Sequence, residues 1–479
     1  MRLYISNLGP IVEASLDFSK INIIIGKNAS GKSMTFKFLY ALLKSIDEYI
    51  LWLKERKYLF LTQDLVDALR REKDLEKGEV VEKNILNILF PHFKRLFSKY
   101  SNRQFPFIFA KKLKYIFLPK IKTIIRDHEH MLKYELDADF VSVKGFIDRR
   151  GTVKASLYLT DRLLDIIEIK LVYSQEYTVG HYSLRVTYRY MGREVVNNIF
   201  IGLKVGEKEI QDVILASIDF LLDVLRKIVP KPIYIIDNRS GVELIRMLMK
   251  PFALLRPSTT SNLLRETLGG GIVDYARMLD RLAMKLREYS TSLRYQEYIQ
   301  RHFGGKLRFD ASMSEFYFEV DEGLTLPLIR TASGLLETFP ILVILGLIEK
   351  RRNMLVIIEE PEAHLHPGAQ IDLLRIFSGI IKDNNIKIIM STHSDWFIKA
   401  IDELIAAKRV SDDIKKRLGL HGIDIHPEDI RVFLYNYNKG ERGYIARKIE
   451  VDEEGVSETD FSRINNELYD RYVYLLSIK

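Results

Sequence analysis

The decisive stretch is Gly26-Lys27-Asn28-Ala29-Ser30-Gly31-Lys32-Ser33, which has the spacing G-x-x-x-x-G-K-S. Apolar residues 21–25 precede it and favour a buried parallel strand, while residues 34–39 favour a helix. A strand, a glycine-rich turn and a helix N-terminus in this order present backbone N–H groups to an anion. The pattern predicts a phosphate-binding loop in which Lys32 reaches the β- and γ-phosphates and Ser33 binds Mg²⁺. The surrounding strand and helix favour this interpretation over a chance match to the bare motif.

The chain has 479 residues, which is more than one ordinary core accommodates, so we expect two or three domains or one domain with a large insertion. It has no cysteine, which excludes disulfides, thiolate nucleophiles and Cys-ligated zinc. The net charge of +9 permits binding of a polyanion. No apolar run is long enough to span a bilayer, and residues 1–5 lack a signal-peptide pattern, so we expect a cytoplasmic protein.

The apolar and polar residues alternate over 1–18, which predicts a hairpin with its turn at residues 7–10. The helix after the phosphate loop is predicted to continue to Ile46. Residues 47–230 then read as an insertion, beginning with helices over 51–90 that Pro91 closes. The predicted organisation is therefore an N-terminal part (1–46), an inserted helical and β segment (47–230) and a C-terminal part (231–479).

Residues 93–126 of this insertion are basic, contain no Asp or Glu and are rich in aromatic residues. The aromatic residues are Phe93, Phe97, Tyr100, Phe105, Phe107, Phe109, Tyr115 and Phe117. One interpretation is a nucleic-acid groove, in which lysines such as Lys111, Lys112 and Lys114 contact phosphates and the rings stack on bases. The other is a solvated helical face whose aromatic residues are part of a core.

Further elements are predicted from periodicity and apolar runs. Strands over 153–159, 166–173 and 182–190 are expected to form a small sheet, followed by an apolar helix over 212–229. The short strand 233–236 ends in a loop with Arg239, which we expect beside the phosphate loop. Glycines 269–271 predict a flexible break before a helix over 272–300.

Two carboxylates end the apolar strand 355–358, where a nucleotide-binding sheet needs them. Glu359 is expected to bind Mg²⁺ and Glu360 to deprotonate the attacking water, and the alternative is ordinary acidic loop residues. His364 and His366, together with Glu359 and Glu362, could ligate a metal, but we favour a loop at a subunit interface. His393 follows the apolar strand 386–390, which favours a γ-phosphate contact over a purely structural role.

Ser333 and Gly334 begin an apolar helix that is predicted to end at Ile348. Serine and glycine at a helix N-terminus form an anion site, but a plain N-cap by Ser333 has the same geometry. The sequence leaves both interpretations open.

Five segments together resemble the ABC-type ATPase heads of the SMC (structural maintenance of chromosomes) group, and most closely their OLD-like AAA-type branch. They are GKNASGKS, YIIDNRSG, TASGLLE, VIIEEPEAHLHP and STHS. The resemblance implies an α/β fold: an ABC-type P-loop ATPase head with a large α+β insertion and a helical signature subdomain. It also implies ATP and Mg²⁺ as cofactors.

The resemblance further assigns roles to individual residues. Residues 26–33 hold the nucleotide, Ser33 and Glu359 hold Mg²⁺, and Ser333 with Gly334 contact the γ-phosphate of a partner protomer. Glu360 becomes the catalytic base, and His393 becomes the switch histidine. The motif TASGLLE lacks the second glycine of the transporter signature L-S-G-G, and His366 stands where transporters have an aspartate.

The resemblance implies an ATPase that acts as a molecular switch through an ATP-dependent homodimer. We expect it to drive a partner related to DNA repair or antiviral defence, either DNA itself or a separate nuclease or effector protein. An OLD-type nuclease is an alternative, but residues 454–458 leave no room before Lys479 for the acidic strand of a Toprim domain. A transporter's nucleotide-binding subunit is a third candidate, which the long insertion disfavours.

Overall fold

The computed structural model describes residues 1–71, 80–117, 121–126, 130–176, 179–190, 193–202, 207–242, 270–285, 293–310, 315–320, 323–348, 353–384, 386–420, 425–457 and 460–478. The helices are α1 (Lys32–Lys54), α2 (Gln63–Arg71), α3 (Leu86–Phe117), α4 (Glu207–Ile228), α5 (Gly270–Lys285), α6 (Leu293–Phe303), α7 (Ser333–Ile348), α8 (Pro367–Asn384), α9 (Asp395–Ala406), α10 (Asp412–Arg417) and α11 (Asp460–Ser477). In the described part of the chain, no helix has the length and apolar character that a membrane crossing requires.

The strands are β1 (Arg2–Leu8), β2 (Ile11–Asp17), β3 (Ile21–Gly26), β4 (Val80–Asn84), β5 (Leu132–Asp137), β6 (Val141–Ile147), β7 (Val153–Leu159), β8 (Ile167–Glu176), β9 (Val179–Tyr190), β10 (Arg193–Gly202), β11 (Lys231–Ile235), β12 (Gly305–Asp310), β13 (Glu315–Val320), β14 (Thr325–Pro327), β15 (Met354–Glu359), β16 (Lys387–Ser391), β17 (Ile430–Asn438), β18 (Gly443–Ile449), β19 (Val451–Asp452) and β20 (Gly455–Val456). The chain divides into two compact units. The first comprises Met1–Leu3, Ala41–Lys112 and Lys133–Lys231, and the second comprises Tyr4–Tyr40, Leu113–Leu132 and Pro232–Lys479.

The second unit is built on strands in the order β11-β15-β16-β3-β17-β18-β2-β1. β15, β16, β3 and β17 run parallel, and β18 runs antiparallel to β17. β15 is buried throughout its length, as the unbroken apolar runs of parallel strands require. The predicted hairpin at the N-terminus is confirmed: β1 and β2 are neighbours, and Gly9 (φ 52°) in the turn between them has positive φ.

The same unit contains α5 and α6, where one helix over 272–300 was predicted. Residues 286–292 between them and Gly269 lie outside the described residues, whereas Gly270 and Gly271 are helical. Strands β12, β13 and β14 form an antiparallel sheet before α7 that the sequence patterns did not predict. α7 itself has the predicted bounds and is buried from Gly334 to Leu345.

The first unit contains two sheets rather than the one predicted. β5, β6 and β7 are neighbours, whereas β10, β9, β8 and β4 form a separate sheet. The single turn of 3₁₀-helix at Asp161–Asp165 lies between β7 and β8 and buries Leu163, so the chain does not turn directly from one strand to the next. β4 lies within the region 51–90 that was predicted to be helical.

The helix α3 also departs from prediction, because Pro91 does not close a helix there. Both Pro91 and Pro106 lie inside α3. An internal proline costs about 3 kcal/mol, but each fully buried aromatic side chain offsets a similar amount. The buried aromatic residues of α3 are Phe90, Phe93, Phe97, Phe105 and Phe109.

These aromatic side chains form a core and cannot stack on bases. Phe97 packs edge-on against Tyr49 with ring centroids 5.3 Å apart, and Phe105 stacks on Phe109 at 6.0 Å. The stacking half of the predicted nucleic-acid groove is therefore wrong for Phe93, Phe97, Phe105 and Phe109. Periodic aromatic residues with intervening lysines arise equally from an amphipathic helix.

Candidate nucleotide-binding site

Three parallel strands place their carboxyl ends side by side at one edge of the sheet. Glu359 of β15 pairs with Ser391 of β16, and Ser391 pairs with Ile24 of β3. The phosphate-loop motif therefore begins beside Glu359, Glu360 and the strand end that precedes His393. This edge is the usual ligand site of an open α/β sheet.

The loop between β3 and α1 has the backbone that its glycines permit. Gly26 (φ 150°), Ala29 (φ 61°) and Gly31 (φ 102°) all have positive φ. A Cβ on Gly26 would lie 2.9 Å from Tyr435 Cβ, and one on Gly31 would lie 2.5 Å from Ile11 Cγ1. Both glycines are therefore required by close packing as well as by conformation. Lys27, Asn28 and Ala29 are exposed at the tip.

Lys32 is the first residue of α1 and is folded back into the loop. Its Nζ donates to the carbonyl oxygens of Gly26 (2.8 Å) and Lys27 (3.0 Å). Burial lowers the pKa of Lys32, and the charges of Glu360, Glu362 and Glu359 act in the opposite direction. A buried ammonium held by carbonyl oxygens is ready to exchange one of these partners for a phosphate oxygen.

The hydroxyl of Ser30 also indicates that the loop binds a ligand. Ser30 Oγ is buried and has no hydrogen-bond partner among the described residues. A buried hydroxyl without a partner is costly in a folded protein, so its presence in the loop indicates a site for a ligand. Together with the helix N-terminus at Lys32, it makes the loop suitable for an anion.

Glu359 lies buried where Mg²⁺ is predicted to bind. Its Oε1 accepts a hydrogen bond from Tyr234 Oη (2.9 Å), and its Oε2 accepts one from the backbone N–H of Asp237 (3.3 Å). The hydroxyl of Ser33 also hydrogen-bonds to this carboxyl. Burial, followed by the charge of Asp237, raises the pKa of Glu359. A serine oxygen beside a carboxylate provides the hard oxygen ligands that Mg²⁺ prefers, and Mg²⁺ keeps several waters.

Glu360 follows in the left-handed region (φ 44°), so its side chain leaves the strand direction. Its N–H donates to Ser391 O (3.1 Å) and lies 3.3 Å from Ser391 Oγ. His393 Nε2 lies 3.5 Å from Glu360 Oε1, and both side chains are partly exposed. Burial, followed by the positive charge of Lys32, lowers the pKa of His393, so the neutral imidazole is favoured.

Glu362 is a site residue that sequence reasoning weighed only as a metal ligand. Its Oε1 accepts hydrogen bonds from Thr392 Oγ1 and from the backbone N–H of His393, both at 2.7 Å. Its Oε2 is buried without a hydrogen-bond partner among the described residues, and burial raises the pKa of this carboxyl. The backbone N–H of Ser394 donates to Thr392 Oγ1, and Gln370 Oε1 accepts from Ser394 Oγ, so the hydrogen bonds extend from Glu362 to Gln370. The sequence signal was an acidic residue two positions after Glu360.

Ser333 and Gly334 are placed differently within the start of α7. Ser333 is exposed, whereas Gly334 is buried against the loop after β15. A Cβ on Gly334 would lie 2.6 Å from the carbonyl oxygen of His364, so glycine is required there. The helix start therefore packs on the segment that follows Glu360 and leaves the serine available to solvent.

The two histidines of this segment, His364 and His366, are exposed. No group of three or more histidine or acidic side chains that could hold a metal occurs in the described part of the chain. Arg239, which follows β11, is not exposed. It is fully buried among carbonyl oxygens and Glu337. These groups provide the acceptors that a buried guanidinium needs.

A family model described as an AAA ATPase domain matches residues 259–398, which include Ser333, Glu359, Glu360 and His393. The chain is an ATPase. No curated protein matches the sequence.

Three solved structures are similar to the chain. An Smc head domain with an extended coiled coil from Pyrococcus furiosus, bound to the C-terminal domain of ScpA, has 10% identity and a TM-score of 0.36, with 94% of this chain and 96% of that chain covered. The SMC head domain from Thermotoga maritima has 11% identity and a TM-score of 0.32, with 94% and 98% covered. An SmcHead bound to the C-winged helix domain of ScpA has 11% identity and a TM-score of 0.37, with 94% and 98% covered.

The predicted fold class is confirmed. It is an α/β fold in which the phosphate-loop motif lies between β3 and α1, and further helices and strands lie between α1 and β11.

Proposed function

We propose that this chain is an ATP-dependent molecular switch, in which two copies close around two ATP molecules and separate after hydrolysis. The proposal is carried by one observation: Lys32, Glu359, Glu360 and His393 converge at one edge of the parallel sheet. The electrostatic coupling of Lys32 to the two glutamates and to His393 supports their action as one site.

Each of these residues has a role in the proposed reaction. Residues 26–33 would hold the phosphates, and Ser33 with Glu359 would hold Mg²⁺, which neutralises phosphate charge when bound. Glu360 orients the attacking water and accepts its proton, because its carboxylate is partly exposed and not committed to a buried pair. His393, favoured in its neutral form, holds the γ-phosphate side of the site and senses its occupancy.

The site is proposed to be completed by a second protomer. Ser333 is exposed at the start of α7, so a partner's γ-phosphate can reach its hydroxyl and the helix N-terminus. A two-fold arrangement then makes two equivalent composite sites. We propose that the chain is an OLD-like ATPase, and that DNA or a separate nuclease or effector is the partner it drives. We also propose domain boundaries between residues 46 and 47 and between residues 230 and 231.

Glu360→Gln tests the proposed function. The amide still orients water but cannot accept its proton, so we expect ATP affinity within about twofold of the parent and turnover lower by about 100-fold or more. The ATP-bound variant should form dimers in sedimentation at micromolar concentration, because the unhydrolysed nucleotide stays in the interface. Glu453→Gln, an exposed carboxylate elsewhere, is the control. Parental turnover in Glu360→Gln would remove Glu360 from the mechanism, and a monomer with ATP bound would contradict the switch.

A further inference from the structure

Arg239 is the largest fully buried side chain among the described residues, with no exposed surface. A guanidinium remains charged in proteins, so its burial requires partners for nearly all of its N–H groups. An arginine at the end of a strand would ordinarily reach solvent. Its complete burial beside the ATPase site therefore needs a specific reason.

The side chain of Arg239 joins three segments of the second unit. Its Nη1 donates to the carbonyl oxygens of Ile236 (2.8 Å) and Glu359 (2.7 Å), and its Nη2 donates to that of Glu360 (2.9 Å). Its Nε donates to Glu337 O (2.7 Å) and lies 3.2 Å from Glu337 Oε2. The planar fork thus spans the end of β15 and the first turns of α7.

Glu337 completes this arrangement and fixes the Arg239 loop in return. Its Oε2 accepts from the backbone N–H of Arg239 (2.9 Å). Its Oε1 accepts from the backbone N–H (3.0 Å) and Oγ (2.5 Å) of Ser240. The donors to Glu337 are far from it in sequence. The Arg239–Glu337 pair therefore sets the mutual position of the Arg239 loop, α7 and β15.

Glu360 has a backbone conformation that needs such support. Its φ of 44° lies in the left-handed region, which is unfavourable for a residue with a Cβ. Its N–H is held by Ser391 on one side, and its carbonyl is held by Arg239 on the other. The peptide groups that flank its Cα are thereby fixed, and the direction of its side chain follows.

We propose that Arg239 is a positioning residue for ATP hydrolysis, which holds the backbone of Glu360 in its left-handed conformation and links it to α7 through Glu337. The proposal rests on the proposed function for the role of Glu360. It gives α7 a physical route to the hydrolytic carboxylate: a shift of the helix that begins with Ser333 moves Glu337, Arg239 and then the Glu360 peptide.

Arg239→Lys tests this proposal, because it keeps the charge and much of the side-chain volume but loses the planar fork. We expect kcat to fall by about 10- to 100-fold, with the ATP dissociation constant within about twofold of the parent, since Lys32 and the phosphate loop are untouched. Hydrogen exchange in the peptide that contains residues 356–362 should become faster. Glu337→Gln should reproduce both effects, and the double variant should be no worse than the worse single variant, because both act through one unit.

Arg375→Met is the matched control. Arg375 pairs with Asp372 and Glu403 on α8 and α9, away from the proposed site. The variant should have a lower melting temperature while kcat and the exchange of 356–362 stay at parental values. Parental kcat with unchanged exchange in Arg239→Lys would overturn the proposal. A fall in kcat that tracks lost stability equally in Arg239→Lys and Arg375→Met would also overturn it, because the role would then be structural only.

Failure of the proposed function gives a different result. If Glu360→Gln hydrolyses ATP at the parental rate, Glu360 is not the base. Faster exchange of 356–362 in Arg239→Lys would still support the backbone clamp in that case, and unchanged exchange would reject it. If Arg239→Lys does not fold, the same measurements on Glu337→Gln decide the question.

Discussion

The strand edge at Glu359 and the helix α3 use the same physical forces in opposite ways. At the strand edge, an ammonium, a guanidinium and two carboxyls are buried, and each is held by several hydrogen-bond partners. In α3, aromatic rings are buried and a lysine such as Lys111 is exposed. Burial of charge opposes stability unless a network compensates it, whereas burial of rings is what stability requires. The first pattern therefore points to function, and the second to folding.

The largest effect is expected from Lys32→Ala, which breaks the network at the strand edge. The variant loses the cation that compensates phosphate charge, so ATP affinity should fall by about 1000-fold, or about 4 kcal/mol. Calorimetry measures the affinity. Lys20→Ala is the control, because this lysine forms a surface pair with Asp429 and should change affinity by less than about twofold. An affinity retained in Lys32→Ala would contradict the assignment of the loop.

The next largest effect concerns the core of α3. Phe97 is fully buried, whereas Phe107 on the same helix is 70% exposed. Phe97→Ala should lower the free energy of unfolding by about 3–4 kcal/mol, and Phe107→Ala by less than about 0.5 kcal/mol. Denaturant unfolding of both variants measures the difference. Equal costs would mean that the aromatic residues of α3 are not divided into core and surface as described.

The sequence was most informative where chemistry restricts both residue type and spacing. The phosphate loop needs glycine at 26 and 31 and lysine at 32, and the structure places this loop beside Glu359 and Glu360 as predicted. The strands β15 and β16 could be predicted because short, unbroken apolar runs are typical of buried parallel strands. The binding roles of residues 26–33, Ser333, Gly334, Glu359, Glu360 and His393 stay predictions.

The rest depends on partners far away in the chain, which a local pattern does not contain. Arg239 was expected near the phosphate loop, and its complete burial was not predicted, because its acceptors come from residues 236, 337, 359 and 360. Glu362 was weighed as a metal ligand. Its actual partners, Thr392 and His393, could not be predicted because they follow another strand. The mixture of aromatic and basic residues in α3 had two interpretations, and only burial separates them.

A smaller effect tests what remains of the nucleic-acid interpretation. Neutralising Lys111, Lys112 and Lys114 to Gln should weaken DNA binding by about tenfold at low salt and reduce the salt slope by up to about 3, because each phosphate contact releases a counterion. Lys111 and Lys114 are exposed, and Lys112 pairs with Glu48. Fluorescence anisotropy over a range of salt concentrations measures both quantities.

The matched control for this test neutralises three exposed lysines on other elements, Lys144, Lys416 and Lys439. It removes the same net charge, so a general electrostatic attraction would weaken equally in both triple variants. A loss confined to the α3 variant supports a phosphate contact by these lysines. A salt-independent affinity, or equal losses, would reject α3 as the DNA-binding element.

The smallest expected effect is a change in the pH dependence of stability through Glu362, which contributes to the buried network at the strand edge. Burial raises the pKa of Glu362 in the folded protein, so its neutral form is favoured there. A group with a raised folded pKa contributes stability below its unfolded pKa of about 4.3, and that contribution is lost as the pH rises through the folded value. The parent should therefore lose stability relative to Glu362→Gln as the pH is raised.

The variant Glu362→Gln keeps an oxygen that accepts from Thr392 Oγ1 and from the N–H of His393, and it carries no charge at any pH. As the pH is raised from about 5 to about 8, the stability difference should shift in favour of the variant. Thermal unfolding of both proteins at the two pH values measures this shift. The absolute difference at either pH also contains the cost of placing an amide N–H₂ where Glu362 Oε2 has no partner among the described residues, so only the change with pH reports on ionisation. A difference that is the same at both pH values would mean that Glu362 does not titrate in this range, which would contradict the expectation drawn from its raised pKa.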